Sequence, residues 1–377
     1  MTREPIRILI TGANGFVGRN LSIRLQEIND LKLSTFSRDD TVAQLKERVS
    51  SSDVVIHLAA ENRPEDPNAF DQVNTGLTTS ICQAIEEEFA ATGRRIALLF
   101  TSSTQAACDN PYGKSKLAAE EAIRALTERI DTPAIIFRLP GVFGKWCRPN
   151  YNSVVATFCH NIARSLPIRI DDPNKTIRLV YIDDVVEAFL PFLHGARPGL
   201  HWGSVSPEYE ITLGRLAHQI SAFPVSRETL LTDRVGTGLT RCLYATYLSY
   251  LPSDRFAYDI PSYGDERGVF VEMLKTADSG QFSFFTAKPG IIRGRHYHHT
   301  KTEKFLVMQG QARFRFRHLL SNEAIEITTS GQKPQIVESI PGWSHDVTNV
   351  GDDELIVMLW ANEIFDRERP DTIPSTV

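Results

Sequence analysis

The sequence changes its hydrophobic period once, near residue 250, and no other feature constrains the fold as strongly. Up to about residue 200, short apolar runs alternate with amphipathic stretches. RILIT (7–11) reads as a buried strand and is followed by a helix from Gly15 to about Gln26. LKLSTFS (31–37), DVVIHLA (53–59), IALLFTSS (96–103) and AIIFRLP (134–140) repeat the strand signal, and Lys114–Ile130 carries helical spacing. Continuous apolar strands between helices predict a mostly parallel, doubly wound sheet, because a strand covered on both faces needs no polar side. After about residue 245 the helical period is gone. QFSFFTA, KFLVMQG, ARFRFRHLL, AIEITTS and ELIVMLWA are short strands with turn residues between them, which predicts an all-β sandwich or barrel. The mixed segment 203–250 is assigned to the first domain. With the boundary near Pro252–Pro261, the chain divides into residues 1–250 and 251–377.

A length of 377 residues suits two or three domains. Hydrophobic residues at 42% and charged residues at 23% exclude disordered and fibrous classes. A net charge of -5 argues against a nucleic-acid partner, since neutralising phosphates needs a basic excess. No apolar run approaches the roughly 20 residues of a membrane span, and MTREPIRILITG lacks a signal-peptide layout. Cys82, Cys108, Cys147, Cys159 and Cys242 are scattered without a CxxC pair. They read as reduced thiols rather than redox or metal groups, and the expected location is cytoplasmic.

TGANGFVG (11–18) follows the first strand and opens a helix. Gly12 permits the tight turn, Gly15 lets a diphosphate approach the backbone, and Gly18 lets helix and strand pack closely. The diphosphate would rest on the helix N-terminus, over Gly12, Asn14, Gly15, Phe16, Val17 and Gly18. About 20 residues on, the second strand meets the adenosine ribose. It ends in Ser37–Arg38, and a guanidinium there suits a 2′-phosphate, so NADPH is the expected cofactor. The alternative leaves Arg38 in solvent and gives the ribose to Asp39 or Asp40.

In PYGKSK (111–116), Tyr112 and Lys116 lie four apart on one helix face, with Ser103 ending the preceding strand. A nearby ammonium is expected to lower the phenol pKa, so that Tyr112 exchanges a proton with a carbonyl oxygen that Ser103 also binds. Lys116 can also hold the nicotinamide ribose. With HLAA (57–60), TSS (101–103) and YIDDVVEAF (181–189), these motifs resemble the extended short-chain dehydrogenase/reductase family over residues 5–245. The resemblance implies a Rossmann-type fold, Ser103, Tyr112 and Lys116 as catalytic residues, Leu58 and Ala59 as further cofactor contacts, and a nucleotide-linked sugar as substrate. Many members carry asparagine after Arg-x-Pro; this chain has Gly141.

GRHYHHTKTEKFLVMQG (294–310) holds His296, His298 and Glu303, and PGWSHDVTN (341–349) holds His345. In a strand His296 and His298 share a face and His299 points away. Three imidazoles and a carboxylate suit zinc, iron or manganese, with zinc the expected ion; a metal-free polar barrel mouth is the alternative. The spacings H-x-H-x4-E-x6-G and G-x2-H-x3-N resemble the cupin (jelly-roll barrel) fold, although Gln335 and Pro341 break the second motif. DERGVFVE (265–272) and PGIIRGRH (289–296) resemble its sugar-nucleotide 3,5-epimerase branch, where the histidine of RG-x-H abstracts a proton beside a ketone. That histidine is His296, which the metal set also claims. It is taken as a ligand because it completes that set.

FGKWCRPNYNSVVATFC (143–159), YATYLSYLPS (244–253), HHTKTEKFLV (298–307) and FRHL (316–319) resemble the CapF-type capsular polysaccharide enzymes along nearly the whole chain. The resemblance implies a bifunctional enzyme of UDP-N-acetyl-L-fucosamine precursor synthesis and a homodimer through the cupin domain. The cupin would epimerise carbon 3 of a UDP-4-keto-6-deoxy-hexosamine. The reductase would then reduce carbon 4 with NADPH to UDP-2-acetamido-2,6-dideoxy-L-talose. Two rivals are a reductase whose cupin is only a metal-stabilised dimerisation or binding module, and a non-enzymatic nucleotide sensor.

Overall fold

The computed structural model describes residues 4–62, 70–299, 301–368 and 370–377. Thr300 of the histidine segment and the first three residues therefore lie outside the described residues. The chain divides into two compact units, Met1–Ile220 with Cys242–Leu251, and Ser221–Arg241 with Pro252–Val377.

In the first unit the strands are β1 (Ile6–Thr11), β2 (Leu31–Phe36), β3 (Val54–His57), β4 (Ala97–Ser103), β5 (Ala134–Leu139), β6 (Gly141–Phe143), β7 (Thr176–Tyr181), β8 (Leu200–Gly203) and β9 (Glu208–Thr212). The helices are α1 (Phe16–Gln26), α2 (Val42–Ser50), α3 (Leu77–Thr92), α4 (Pro111–Ile130), α5 (Val154–Ala163) and α6 (Ile182–Gly195); α7 (Leu213–Thr229) and α8 (Gly238–Ser249) run across the division between the units. Six strands form a parallel sheet in the order β2-β1-β3-β4-β5-β8. Leu9, Val55, Leu98 and Ile136 join one core with α2, α3 and α4. Ile8, Ile10 and Ile56 are equally buried outside that cluster, and Phe137 meets Phe189 of α6 at 4.8 Å. Both faces of the sheet are thus covered, as the uninterrupted apolar strands require. β6, β7 and β9 form a small separate sheet.

The second unit contains β10 (Leu231–Thr232), β11 (Ser262–Asp265), β12 (Gly268–Thr276), β13 (Gly280–Ala287), β14 (Ile292–Tyr297), β15 (Glu303–Gln309), β16 (Gln311–His318), β17 (Ala324–Ser330), β18 (Ile336–Ser339), β19 (Trp343–Asn349), β20 (Leu355–Ala361) and β21 (Ile373–Pro374). One sheet runs β10-β12-β13-β20-β15-β18 with β11 beside β12, and the other β17-β16-β19-β14-β21. Phe285, Phe305, Val307, Phe314, Phe316, Val347 and Val357 share one core supplied by strands of both sheets. The segment 221–241 was expected in the first domain but groups with the second unit. The reason is local: β10 pairs with the end of β12, and Lys275 N–H donates to the Leu230 carbonyl at 2.7 Å. A two-residue strand is too short to leave a period in the sequence.

Candidate functional site

The first site begins at the turn between β1 and α1. Gly12 has a φ of +73°, and a Cβ there would stand 2.7 Å from the Ala59 nitrogen. A Cβ on Gly18 would collide with the Gly12 carbonyl oxygen, so only hydrogen fits. α1 starts at Phe16 without a side-chain cap or an acid in its first turn, which leaves its N–H groups and dipole to an anion. The turn floors a cleft of about 760 Å³ lined by Gly12, Asn14, Gly15, Phe16, Val17, Gly18, Arg38, Leu58, Ser103, Tyr112 and Lys116. The cradle therefore fits a dinucleotide diphosphate. Ala59 lies beneath the turn instead, its N–H donating to Thr11 Oγ1 at 3.3 Å, while Ala60 and Glu61 line the cleft.

Arg38 is 83% exposed at the cleft rim and donates to Glu61 Oε2 at 2.7 Å. Asp40 is engaged elsewhere, accepting from Ser37 N–H at 2.7 Å and from both arms of Arg48 at 2.9 and 2.7 Å. The Ser37 N–H first and the Arg48 guanidinium second hold its carboxyl below the ordinary value. Glu61 is in turn clasped by Asn74, which accepts from Glu61 N–H at 2.8 Å and donates to its carbonyl at 3.1 Å. Tyr151 donates to Glu61 Oε1 at 3.3 Å, from a loop whose Trp146, Arg148, Asn152 and Ser153 also line the cleft. Sequence reasoning missed Glu61, Asn74 and this loop. Pro149, Asn150 and Asn152 signal a loop but not where it lies.

Asn110 caps α4 by accepting from Gly113 N–H at 2.8 Å, with Pro111 at the first helical position. A Cβ on Gly113 would collide with the Gln105 carbonyl oxygen, so glycine lets the helix start press against the turn that follows β4. That contact brings the Tyr112 phenol to the Ser103 hydroxyl. Burial pushes the phenol pKa above its ordinary value, and the Ser103 hydrogen bond opposes the rise. This corrects the expectation that Lys116 lowers it. Lys116 is 2% exposed, donates from Nζ to the Thr101 carbonyl at 2.9 Å and stands 4.8 Å over the Phe100 ring. Burial lowers its own pKa to about 8, with the Glu120 charge opposing. Glu120 is buried too, taking Arg138 through both oxygens at 2.9 and 2.5 Å.

The second site lies wholly in the β unit. His296 on β14 pairs directly with His345 on β19, their rings 4.6 Å apart. His298 follows β14, and its ring is 4.8 Å from His296 and 5.3 Å from His345. Glu303 opens β15 and completes a set whose ligand atoms all lie within 4.8 Å of one another. Glu303 Oε2 is 3.1 Å from His298 Nε2 and 3.4 Å from His345 Nε2, while Oε1 is 3.3 Å from Lys301 Nζ. His298 Nδ1 hydrogen-bonds the Asp371 carbonyl, which orients the ring with Nε2 turned toward Glu303. His296 Nε2 and His345 Nδ1 are buried with no partner among the described residues. Convergent donors with an orphaned imidazole nitrogen fit a divalent cation.

Burial pushes the Glu303 carboxyl up, but hydrogen bonds from His298 and His345 and the Lys301 charge outweigh it and hold it well below the ordinary range. Burial first and the neighbouring His345 second lower His296 to about 4, so its imidazole is neutral. His299 is exposed and turned toward Tyr297 at 5.4 Å, outside the set as expected. Lys301 and Asp371 were missed. Asp371 accepts from His299 N–H at 2.8 Å and from Lys301 N–H at 2.9 Å, tying down the histidine loop from 70 residues away.

Residues 8–202 match the family described as NAD dependent epimerase/dehydratase, which is more than half of the chain. The chain belongs to that family. Membership implies a nicotinamide cofactor, for which the glycine cradle is shaped. Residues 263–373 match the polysaccharide biosynthesis C-terminal domain, and the pair of domains makes this a CapF-type member. It is 56% identical over 99% of both chains to a UDP-2-acetamido-2,6-beta-L-arabino-hexul-4-ose reductase of Pseudomonas aeruginosa. The crystal structure of the capsular polysaccharide assembling protein CapF from Staphylococcus aureus covers 98% of this chain and all of its own, with 39% identity and a TM-score of 0.90. CapF with the inhibitor 3-isopropenyl-tropolone superposes with a TM-score of 0.85 at 34% identity, over 99% of this chain and all of that one. Among the described residues, no helix of this epimerase/dehydratase member is long and apolar enough to cross a membrane.

Proposed function

We propose that the chain is a bifunctional UDP-sugar enzyme of capsular or surface polysaccharide synthesis. Its β unit, read as a cupin, epimerises carbon 3 of a UDP-4-keto-6-deoxy-hexosamine, and its α/β unit reduces the carbonyl at carbon 4 with NADPH. The product is UDP-2-acetamido-2,6-dideoxy-L-talose. One observation carries the reading: two separate sets of reactive side chains occur in two different compact units. The relative's name, a hexul-4-ose reductase, supports the substrate class.

In the reduction, NADPH supplies the hydride. Tyr112, protonated because burial raises its pKa, donates its proton to the carbonyl oxygen, and Ser103 donates a hydrogen bond to the same atom. Lys116 holds the helix face that carries Tyr112 and reaches the cofactor ribose. Arg38 at the cleft rim supports NADPH over NADH, and Asp40, one of the two acids that could take a ribose hydroxyl instead, is engaged by Ser37 and Arg48. For the epimerisation, a ketone at carbon 4 acidifies the hydrogen at carbon 3. A base takes that proton and one is returned to the opposite face of carbon 3; His296, His298, Glu303 and His345 would hold a divalent ion, zinc in our proposal, whose charge would favour the negative oxygen formed in between. A tropolone carries adjacent ketone and hydroxyl oxygens able to chelate such an ion, so its inhibition of a CapF relative supports a metal here. The unpartnered Nε2 of His296 favours a second reading, in which His296 abstracts the proton while the other three residues hold the ion.

The outward face of the larger β sheet carries exposed Phe282 and Ile336 beside half-buried Leu306 and Met358, which supports a homodimer through this unit. Five free cysteines support a cytoplasmic location. The deciding experiment incubates the protein with the 4-keto substrate in deuterated water, with and without NADPH. Deuterium entering carbon 3 without cofactor is expected. Its absence would reduce the β unit to a binding or dimerisation module.

A further inference from the structure

The two oxygens of Glu303 face different partners. Oε2 points to His298 and His345, at 3.1 and 3.4 Å. Oε1 is held 3.3 Å from the ammonium of Lys301, a lysine only 6% exposed. Lys301 is itself fixed, its N–H donating to Asp371 Oδ2 at 2.9 Å and its ammonium standing 5.4 Å over the Phe365 ring. A lysine is buried beside a carboxylate at a large desolvation cost, and here it is given one oxygen of a group whose other oxygen joins the three histidines.

We propose that Lys301 is a positioning residue that keeps Glu303 a one-oxygen ligand, so that the bound cation retains open coordination positions and little of its charge is neutralised. With Oε1 occupied, only Oε2 is available to an ion. Three neutral imidazoles add no charge, and the ammonium offsets the carboxylate, so the ion's full double charge remains for the substrate oxygens. The arrangement weakens metal binding, because a cation is held near another cation, and in return strengthens the ion's pull on a ligand carrying two adjacent oxygens. This inference rests on the metal reading above and specifies how that site stays open.

The test uses the full chain, stripped of metal and titrated with cobalt(II), for wild type, Lys301→Met and Lys301→Arg. Binding is read by competition with a chromophoric chelator, and coordination number by visible absorption of the cobalt. Lys301→Met should bind cobalt about tenfold more tightly and lose most of its visible absorbance, because a carboxylate free to bind through both oxygens raises the coordination number. Lys301→Arg should restore the wild-type spectrum. Equal or weaker binding by Lys301→Met with an unchanged spectrum would overturn the proposal, since a residue that only braced the loop would weaken binding when lost. Should Lys301→Met not fold, Lys301→Leu, which likewise offers Oε1 no donor, is read by the same criteria. A wild-type chain that binds no cobalt and no zinc would instead sink the metal reading itself, and this inference with it.

Discussion

Tyr112 and Lys116 are each shifted by burial, and in the direction that keeps the phenol protonated and the ammonium marginal. Such a phenol is suited to give a proton to an oxygen that has just received a hydride. Tyr112→Phe should therefore lower the reduction rate by roughly 10²–10⁴-fold, measured by NADPH absorbance, while deuterium entry at carbon 3 continues. Lys116 carries a stability consequence whose sign can be worked out. Its folded-state pKa of about 8 lies below the ordinary 10.5. Below pH 8 both folded and unfolded chains hold the proton, and the folded state bears the whole cost of the buried charge, about 3 kcal/mol. Between pH 8 and 10.5 the unfolded chain holds more protons, so stability rises with pH. Lys116→Met removes that titration, and its unfolding free energy minus that of wild type should fall steadily across this window in denaturant melts at matched pH. A difference that stays flat would mean the ammonium is solvated.

Elements position these groups through a few close contacts. Gly113 lets α4 lie on the turn after β4, and Gly113→Ala forces a Cβ into the Gln105 carbonyl oxygen. The helix start must shift, costing about 1–3 kcal/mol and lowering kcat more than cofactor affinity, since the glycine cradle at α1 is untouched. In the β unit, Asp371→Ala removes the acceptors for His299 and Lys301 N–H. Metal affinity should then fall about 10–100-fold by chelator competition, opposite in sign to the effect of Lys301→Met. Both sites were partly legible in the sequence, for a shared reason. The glycine turn and the Tyr112–Lys116 pair are spacings within a single turn or helix, and His296, His298 and Glu303 lie on one short run from the end of β14 to the start of β15, so nearness in sequence already brings them close. Glu61 with Asn74, and Lys301 with Asp371, are contacts made by tertiary packing and leave no periodic trace. The phenol's raised pKa was illegible likewise, because it depends on where Lys116 Nζ points, and Nζ points to the Thr101 carbonyl.

For the molecule as a whole, the single change of period was enough to separate an α/β unit from a β unit, while the short strand that carries 221–241 into the second unit was not. The exposed apolar face on that unit predicts a dimer by sedimentation at micromolar concentration. Ile336→Lys, at a position 51% exposed, should shift the protein toward monomer while leaving its circular-dichroism spectrum unchanged. The clamp on the histidine loop has a consequence of another kind. His298 is synthesised 73 residues before the Asp371 carbonyl that orients its ring, and His296 pairs with Pro374. A nascent chain stopped between His345 and Asp371 carries all four candidate liganding side chains and still lacks the groups that aim them. On the proposed metal reading, assembly of the site would be a late event in biosynthesis, coupled to the docking of β21, and ion uptake would report that the β unit has closed.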